Sequence, residues 1–277
     1  MYTIVFLLIV AAIGLYLACY LVSDQLASPA VKFIQGPLLR DAFYPEWYDL
    51  CHDADMASIL PLITDKDPDH TIHLDVGSGT GRLVHLLSAQ GAHSTGIDNS
   101  DVFVNFAKSK ANAKSNANAT FILGSAVTHH WFPTSTFTHI TCTHHTLYYF
   151  ELSDKRRLIS NCYHWLRPGG KLVVCVIPDI PTMTKLLYEP QKRLTHPNYN
   201  YPVEYSSLVE PISSAEEMNG PVTFTQKFTD NSSFLRFHEQ ILFIDPVAQI
   251  INLAKSTGFR VSYDKSSPFI LFTKPLN

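Results

Sequence analysis

The run His73-Leu74-Asp75-Val76-Gly77-Ser78-Gly79-Thr80-Gly81-Arg82 constrains this chain more than any other stretch. Thr71 to Val76 is short and apolar enough for a buried strand. Glycines then alternate with small residues, and Arg82 to Leu87 opens a helical pattern. A strand, a glycine turn and a helix in that order predict an α/β unit with a ligand seat at the turn. A glycine turn admits a ligand where a Cβ would collide, and the N–H groups of a helix start face an electron-rich group. A dinucleotide fingerprint needs a third small residue where Arg82 stands, which disfavours an NAD-dependent oxidoreductase. The reading without a ligand is a tight strand-to-helix turn.

The 277 residues suffice for one large α/β domain or two small ones, and 46% hydrophobic residues supply an ample core. Net charge is −3 with a pI near 6.5. No block of Lys or Arg marks a nucleic-acid footprint; Lys108, Lys110 and Lys114 read as the solvated face of a helix. Nucleic acid is therefore not an expected partner. Cys19, Cys51, Cys142, Cys162 and Cys175 are odd in number and lack C-x-x-C spacing, so reduced thiols are expected in place of a disulfide framework. His129-His130, Cys142 and His144-His145 do not form metal-ligand spacing either, and no metal is expected.

Met1 to Ser23 carries no charged side chain, and Ile4 to Val22 is nearly all apolar. Such a run, as a helix, rises ~28 Å, about the hydrocarbon thickness of a bilayer, so residues 1–23 are expected to form a transmembrane anchor. A cleaved signal peptide is the rival; it is disfavoured by the absence of Lys or Arg before the apolar run. Lys32 and Arg40 follow the span, which places the domain on the cytosolic side of a single-pass protein. Residues 24–43, with two prolines and little periodicity, read as a tether, and residues 44–277 as the domain.

Within that domain a helix is expected from about Tyr44 to Leu62, its aromatics packing on the sheet. Strands are expected at His93 to Asp98, Thr120 to Leu123 and Phe137 to Thr143, with a helix at Asp101 to Ala113 and another capped by Ser153 and ending near Trp165. The prolines between Pro178 and Ile244 argue for an irregular insertion, a lid or acceptor wall, carrying one β-hairpin at Val222–Phe228 and Phe234–Phe243. A helix from Pro246 to Ser256 and strands at Arg260–Tyr263 and Phe269–Thr273 close the chain.

Asp98 ends its strand 23 residues after Asp75, the length of one strand-helix-strand unit. Its two carboxylate oxygens match a vicinal diol, while a cap for the next helix is already available in Ser100. The order Asp75-Val-Gly-Ser-Gly-Thr-Gly81, Asp98, Leu166-Arg167-Pro168-Gly169-Gly170 and a terminal hairpin resembles the class I S-adenosylmethionine-dependent methyltransferases of the small-molecule type. That resemblance implies a doubly wound, mostly parallel seven-stranded sheet with an antiparallel C-terminal hairpin, preceded here by the transmembrane helix.

It also implies the site. Tyr48 would close over the methionine end of S-adenosyl-L-methionine, with Asp75, Gly77, Ser78, Gly79 and Gly81 forming its seat. Asp98 with Asn99 would hold the ribose. Ser125-Ala126 stands where the family commonly has an Asp that receives the adenine amino group; serine is shorter and uncharged. His144 would contact the methionine part, and His145 or Tyr148 would face the acceptor as general base or positioning group. The implied activity is in-line methyl transfer at a membrane to a small-molecule or lipid-like O or N nucleophile. A catalytically silent cofactor-binding scaffold at a membrane is the reading outside enzymes.

Overall fold

The computed structural model describes residues 32–35, 41–52, 58–64, 70–113, 117–128, 131–212, 218–230 and 234–276. The expected transmembrane span and most of the tether lie outside these. Among the described residues no helix is long and apolar enough to cross a membrane.

Glycine, proline and short apolar runs divide the chain into two sheets. The larger has seven strands: β2 (Ile72–Val76), β3 (His93–Asp98), β4 (Ala119–Leu123), β5 (Phe137–Cys142), β6 (Leu166–Cys175), β11 (Arg260–Tyr263) and β12 (Phe269–Thr273). Their spatial order is β11-β12-β6-β5-β2-β3-β4. β2 to β6 run parallel, and β12 returns antiparallel between β6 and β11. The chain winds from β2 outward through β3 to β4, then restarts at β5 on the other side of β2. That reversal opens a crevice beyond the ends of β2 and β5, where parallel sheets take their ligands.

The connecting helices are α3 (Arg82–Ala89), α4 (Asp101–Ala113) and α5 (Leu152–Trp165), with α7 (Val247–Thr257) leading into β11. Leu83 and Leu87 of α3 pack with Val173, and Val104 and Ala107 of α4 pack with Val84 and Phe121. Both faces of β2 are covered, since His73, Leu74, Asp75 and Val76 are all buried. Its sequence alternates apolar and polar residues, and the buried polar ones are bonded: His73 to Ser94 and Thr141, and Asp75 to Thr141.

The segment after β6 is more regular than its prolines predict. Helix α6 (Ile180–Leu187) is followed by β7 (Glu189–Leu194), β8 (Val203–Pro211), β9 (Gly220–Asp230) and β10 (Phe234–Ile244). The last four form an antiparallel meander, so the expected β9–β10 hairpin is present within a larger sheet. Asp179 caps α6 by accepting from the Thr182 N–H at 2.8 Å, and Pro181 occupies its first turn. The prolines of this stretch begin and end elements instead of preventing them.

Two further expectations are corrected. Lys32–Gln35, inside the presumed tether, is β1, a parallel edge strand on β10. The helix foreseen from Tyr44 to Leu62 is α1 (Tyr44–Cys51), which stops at His52 in extended conformation, and a short α2 (Leu60–Ile63). The smaller sheet covers two surfaces with its inner face. Val209, Val222, Phe224, Leu242 and Ile244 join the main core. Leu194, Val203, Tyr205 and Phe228 instead pack with Tyr44 and Trp47 of α1 and Phe103 of α4.

Candidate active site

The ends of β2, β3, β4 and β5 enclose a cavity of about 930 Å³, counting its open mouth. Its floor is Val76, Gly77 and Gly79 of the glycine loop with Ile97, Asp98 and Asn99. Its far side is Gly124, Ser125 and Ala126, and its roof is Tyr44, Tyr48, Phe103, His144, Thr146, Tyr149 and Phe150.

The loop takes this shape because Gly77 has φ +68°, and a Cβ there would come within 2.3 Å of Thr146 Cγ2. Only glycine meets both conditions. Several loop amides are then bonded inside the protein. Gly77 N–H donates to Ile97 O at 2.8 Å, Gly81 N–H to Ser78 O at 2.9 Å, and Gly79 N–H to Asp98 Oδ2 at 2.8 Å. The amides that the sequence reading turned toward an electron-rich ligand are those of the helix start, from Arg82 onward. A pyrophosphate would meet occupied donors and the Asp98 carboxylate. The lining contains no Lys or Arg among the described residues. A cationic ligand bearing a diol fits this lining.

Asp98 accepts from Gly79 and, through Oδ1, from Ser100 N–H at 2.9 Å, and burial raises its pKa. Each oxygen keeps a lone pair for a ribose hydroxyl. Arg82, which stands where a dinucleotide site needs a small residue, reaches sideways to α1. Its Nε lies 3.3 Å from Asp49 Oδ1, and its NH1 donates to His52 O at 2.8 Å. Thr80 Oγ1 donates to the same Asp49 oxygen at 2.7 Å, and Lys110 reaches Asp49 Oδ2 at 3.0 Å. Asp49 thus latches α1, and with it Tyr44 and Tyr48, over the glycine loop. Sequence reasoning gave Asp49 no role.

Of the foreseen cofactor residues, Tyr48, Gly77, Gly79, Asp98, Asn99, Ser125, Ala126 and His144 line the cavity. Asp75, Ser78 and Gly81 stand behind its wall. Asp75 is 4% exposed, its Oδ1 accepts from Thr141 Oγ1 at 2.6 Å, and burial pushes its pKa up to about 7. Ser78 Oγ turns toward Gly96, and Gly81 begins α3.

The foreseen catalytic pair separates from the cavity. Tyr148 is 1% exposed; its hydroxyl donates to Ile177 O at 3.2 Å and accepts from Ile177 N–H, so it faces the core and not an acceptor. His145 is also outside the lining, while its neighbour His144 is within it. Both histidines hold left-handed backbone, φ 50° and 67°, a conformation that costs energy in non-glycine residues and gathers at functional turns. Burial lowers the pKa of each to about 4, so both rings are neutral at pH 7. His144 Nδ1 lies 3.0 Å from Thr143 Oγ1, which leaves Nε2 for a ligand.

Comparison with known proteins agrees with this donor set. Residues 74–170 match a family model described as a methyltransferase domain. The chain carries a methyltransferase domain. Over 102 residues it is 31% identical to a phosphoethanolamine N-methyltransferase of Plasmodium falciparum (isolate 3D7), a match spanning 36% of this chain and 37% of that relative. The chain thus covers little more than a third of the relative's length.

Solved structures extend the likeness in fold over most of the chain. A sugar N-methyltransferase from Streptoalloteichus sp ATCC 53650 superposes with a TM-score of 0.65 at 16% identity, covering 82% of this chain and 92% of that one. An amino pentose methyltransferase from Micromonospora echinaspora, solved with S-adenosylmethionine bound, gives 0.58 at 16% identity, covering 82% and 91%. The seven-stranded sheet of the methyltransferase domain is the fold of S-adenosylmethionine-dependent methyltransferases. Among the described residues no cluster of His, Cys, Asp or Glu is arranged to hold a metal ion.

Proposed function

We propose that this protein is an S-adenosylmethionine-dependent N-methyltransferase acting on a small-molecule amine, held at a membrane by residues 1–23. The observation that carries the reading is the cavity lining: a carboxylate, neutral imidazole and aromatic rings, with no cationic side chain among the described residues. When bound, the cofactor supplies an activated methyl on a sulfonium. Asp98 would hold its ribose, and Gly77 and Gly79 would give it room.

The chain's own task is then to orient the acceptor, exclude water and dispose of a proton. Tyr44, Tyr48 and Phe103 stand edge-on to one another with ring centroids 5.4–5.8 Å apart. Such a wall offers negative ring faces to a cationic product. Burial between these rings also lowers the pKa of an entering amine, because it disfavours the charged form. An amine made neutral in this way needs no strong base, and His144 Nε2 suffices to accept a hydrogen bond from it. The names of the phosphoethanolamine and sugar N-methyltransferases support nitrogen over oxygen.

Methyl transfer from labelled S-adenosylmethionine to a panel of amines and their matched alcohols tests the reading. Transfer to an alcohol but to no amine would overturn nitrogen. Failure to bind S-adenosylhomocysteine would overturn the whole assignment. The membrane part rests on the uncharged apolar run Ile4 to Val22, with the domain placed on the cytosolic side. Release of the full chain from membranes by alkaline carbonate would remove it.

A further inference from the structure

Three phenols stand in the roof of the cavity, and their hydroxyls differ in what they do. The Tyr44 hydroxyl donates to Gln226 Oε1 at 3.1 Å and lies 3.0 Å from His52 Nε2, so it is committed within the protein. The hydroxyls of Tyr48 and Tyr149 have no hydrogen-bond partner among the described residues. Both are deep in the molecule, since burial is the main cause that raises the pKa of Tyr48 to about 12 and raises that of Tyr149 as well. Neither is enclosed by protein atoms, and the open space beside these two residues is the cavity. Tyr149 owes its place to the single turn Thr146–Tyr149, which divides its two tyrosines: Tyr148 goes to Ile177 in the core and Tyr149 to the cavity. The floor and far side already offer places for the ribose and adenine of the cofactor, which leaves the roof to the acceptor.

With His144 Nε2, these hydroxyls give the roof three hydrogen-bonding tips, all uncharged at pH 7. Asp98 is the only acid of the lining among the described residues. The nearby cations are spent elsewhere: Arg82 and Lys110 on Asp49, and Lys192 Nζ on Leu50 O at 3.2 Å. Resting on the amine reading above, we propose that the acceptor is an amine that carries a hydroxyl or ether oxygen and no phosphate, and that Tyr149 binds it by donating to that oxygen. The nitrogen cannot take the Tyr149 proton, because its lone pair has to stay open to the methyl group. An oxygen elsewhere in the acceptor takes it, and a buried donor left unmade is costly. The reactive form of a phosphorylated amine has a neutral nitrogen, so its phosphate would enter with a charge of about −1.5 to −2 and no ammonium to offset it. In this lining that charge meets Asp98 and neutral tips, and a buried charge without a partner is strongly disfavoured.

The test uses the full chain and labelled S-adenosylmethionine. Ethanolamine, ethylamine and phosphoethanolamine serve as amine probes, with ethylene glycol and its monophosphate as oxygen controls. Wild type uses ethanolamine, and its kcat/KM for phosphoethanolamine is lower by about 100-fold or more. Ethylamine is poorer than ethanolamine by about 3- to 10-fold, and Tyr149→Phe removes that difference by raising KM for ethanolamine alone. The Kd for S-adenosylhomocysteine stays within about twofold in the variant, which a cofactor contact worth a hydrogen bond would not allow. Equal or better use of phosphoethanolamine overturns the phosphate-free acceptor. An ethanolamine-to-ethylamine ratio unchanged by Tyr149→Phe, or a matching loss of S-adenosylhomocysteine affinity, overturns the role of Tyr149. Transfer to the glycol but to no amine sinks the amine reading instead, and the glycol against its monophosphate still decides the rule on charge. Binding of S-adenosylhomocysteine with no transfer to any of these probes overturns the proposed class of acceptor.

Discussion

The hydroxyl of Thr80 donates to Oδ1 of Asp49 across 2.7 Å, joining the glycine loop to the helix that roofs the cavity. Arg82 and Lys110 converge on the same carboxylate, and the Arg82 guanidinium lies 5.5 Å from the centre of the Tyr48 ring. Asp49→Ala removes the common partner of three groups and frees α1 to lift. A hydrogen bond to a charged group contributes about 1.5–3 kcal/mol, so the affinity for S-adenosylhomocysteine should fall by about 10- to 100-fold. Calorimetric titration checks this. An unchanged affinity would show that α1 does not close the cofactor end.

Gly77 carries two separable constraints, its positive φ and the 2.3 Å approach of Thr146 Cγ2 to any added Cβ. Gly77→Ala should abolish cofactor binding and lower stability. Thr146→Ala in the same chain removes the 2.3 and 2.7 Å approaches, leaving the residue-146 Cβ at 3.0 Å, and does not relieve the left-handed strain, which costs about 1–2 kcal/mol. The double variant should therefore recover stability only in part in urea denaturation. Complete recovery would mean that the backbone there tolerates a side chain.

The parallel sheet was legible because its strands are short segments set between turn residues and helical patterns. His93–Asp98, Asp101–Ala113, Arg260–Tyr263 and Phe269–Thr273 stand where the sequence places them. Strand β8 was hidden in plain view: Val203, Tyr205, Ser207 and Val209 alternate inward. The density of proline outweighed that period, although Pro202 and Pro211 only flank or end the strand. The cavity floor was legible because a glycine loop is local in sequence. The latch of Asp49 on Arg82 and the contact of Tyr44 with Gln226 were not, since such pairs are set by how distant elements dock. Tyr148 and His145 illustrate the same limit: their neighbour His144 faces the cavity, and which residue of a strand-end turn does so depends on backbone angles.

Lys155, fully buried on α5, donates to Phe243 O at 2.6 Å and pairs with Asp245, where the smaller sheet rejoins the domain. Its ammonium also lies 5.2 Å from the centre of the Tyr148 ring, whose hydroxyl holds Ile177 at the other end of the insertion. Both ends of the insertion are thus pinned at one point. Lys155→Met leaves Asp245 without its partner and should cost about 3–5 kcal/mol. Lys155→Met with Asp245→Asn should regain part of that loss, measured by denaturant midpoint. If the single variant is as stable as wild type, the pin has no structural weight.

The pH dependence follows from Asp75. Burial, opposed by the Thr141 hydroxyl and reinforced by the Asp98 charge, raises its pKa from the ordinary 3.8 to about 7. The Thr141 oxygen in turn lies 2.9 Å from His73 Nε2, and His73 Nδ1 lies 2.7 Å from Ser94 Oγ. Burial holds His73 near pKa 3, so this chain of groups brings no positive charge to offset an ionised Asp75 at neutral pH. Between about pH 4 and 7 the folded protein binds this proton and the unfolded chain does not. The stability that Asp75 contributes is therefore complete below about pH 4, declines as pH rises through about 7, and is gone above it. Each pKa unit corresponds to about 1.4 kcal/mol, which bounds the effect at roughly 4 kcal/mol. Asp75→Asn stays neutral throughout and should flatten that part of the stability curve, making the variant relatively more stable at pH 8 than at pH 5. Urea denaturation at intervals across this range checks it. A wild-type slope of the opposite sign that vanishes in Asp75→Asn would show that the carboxylate is held ionised.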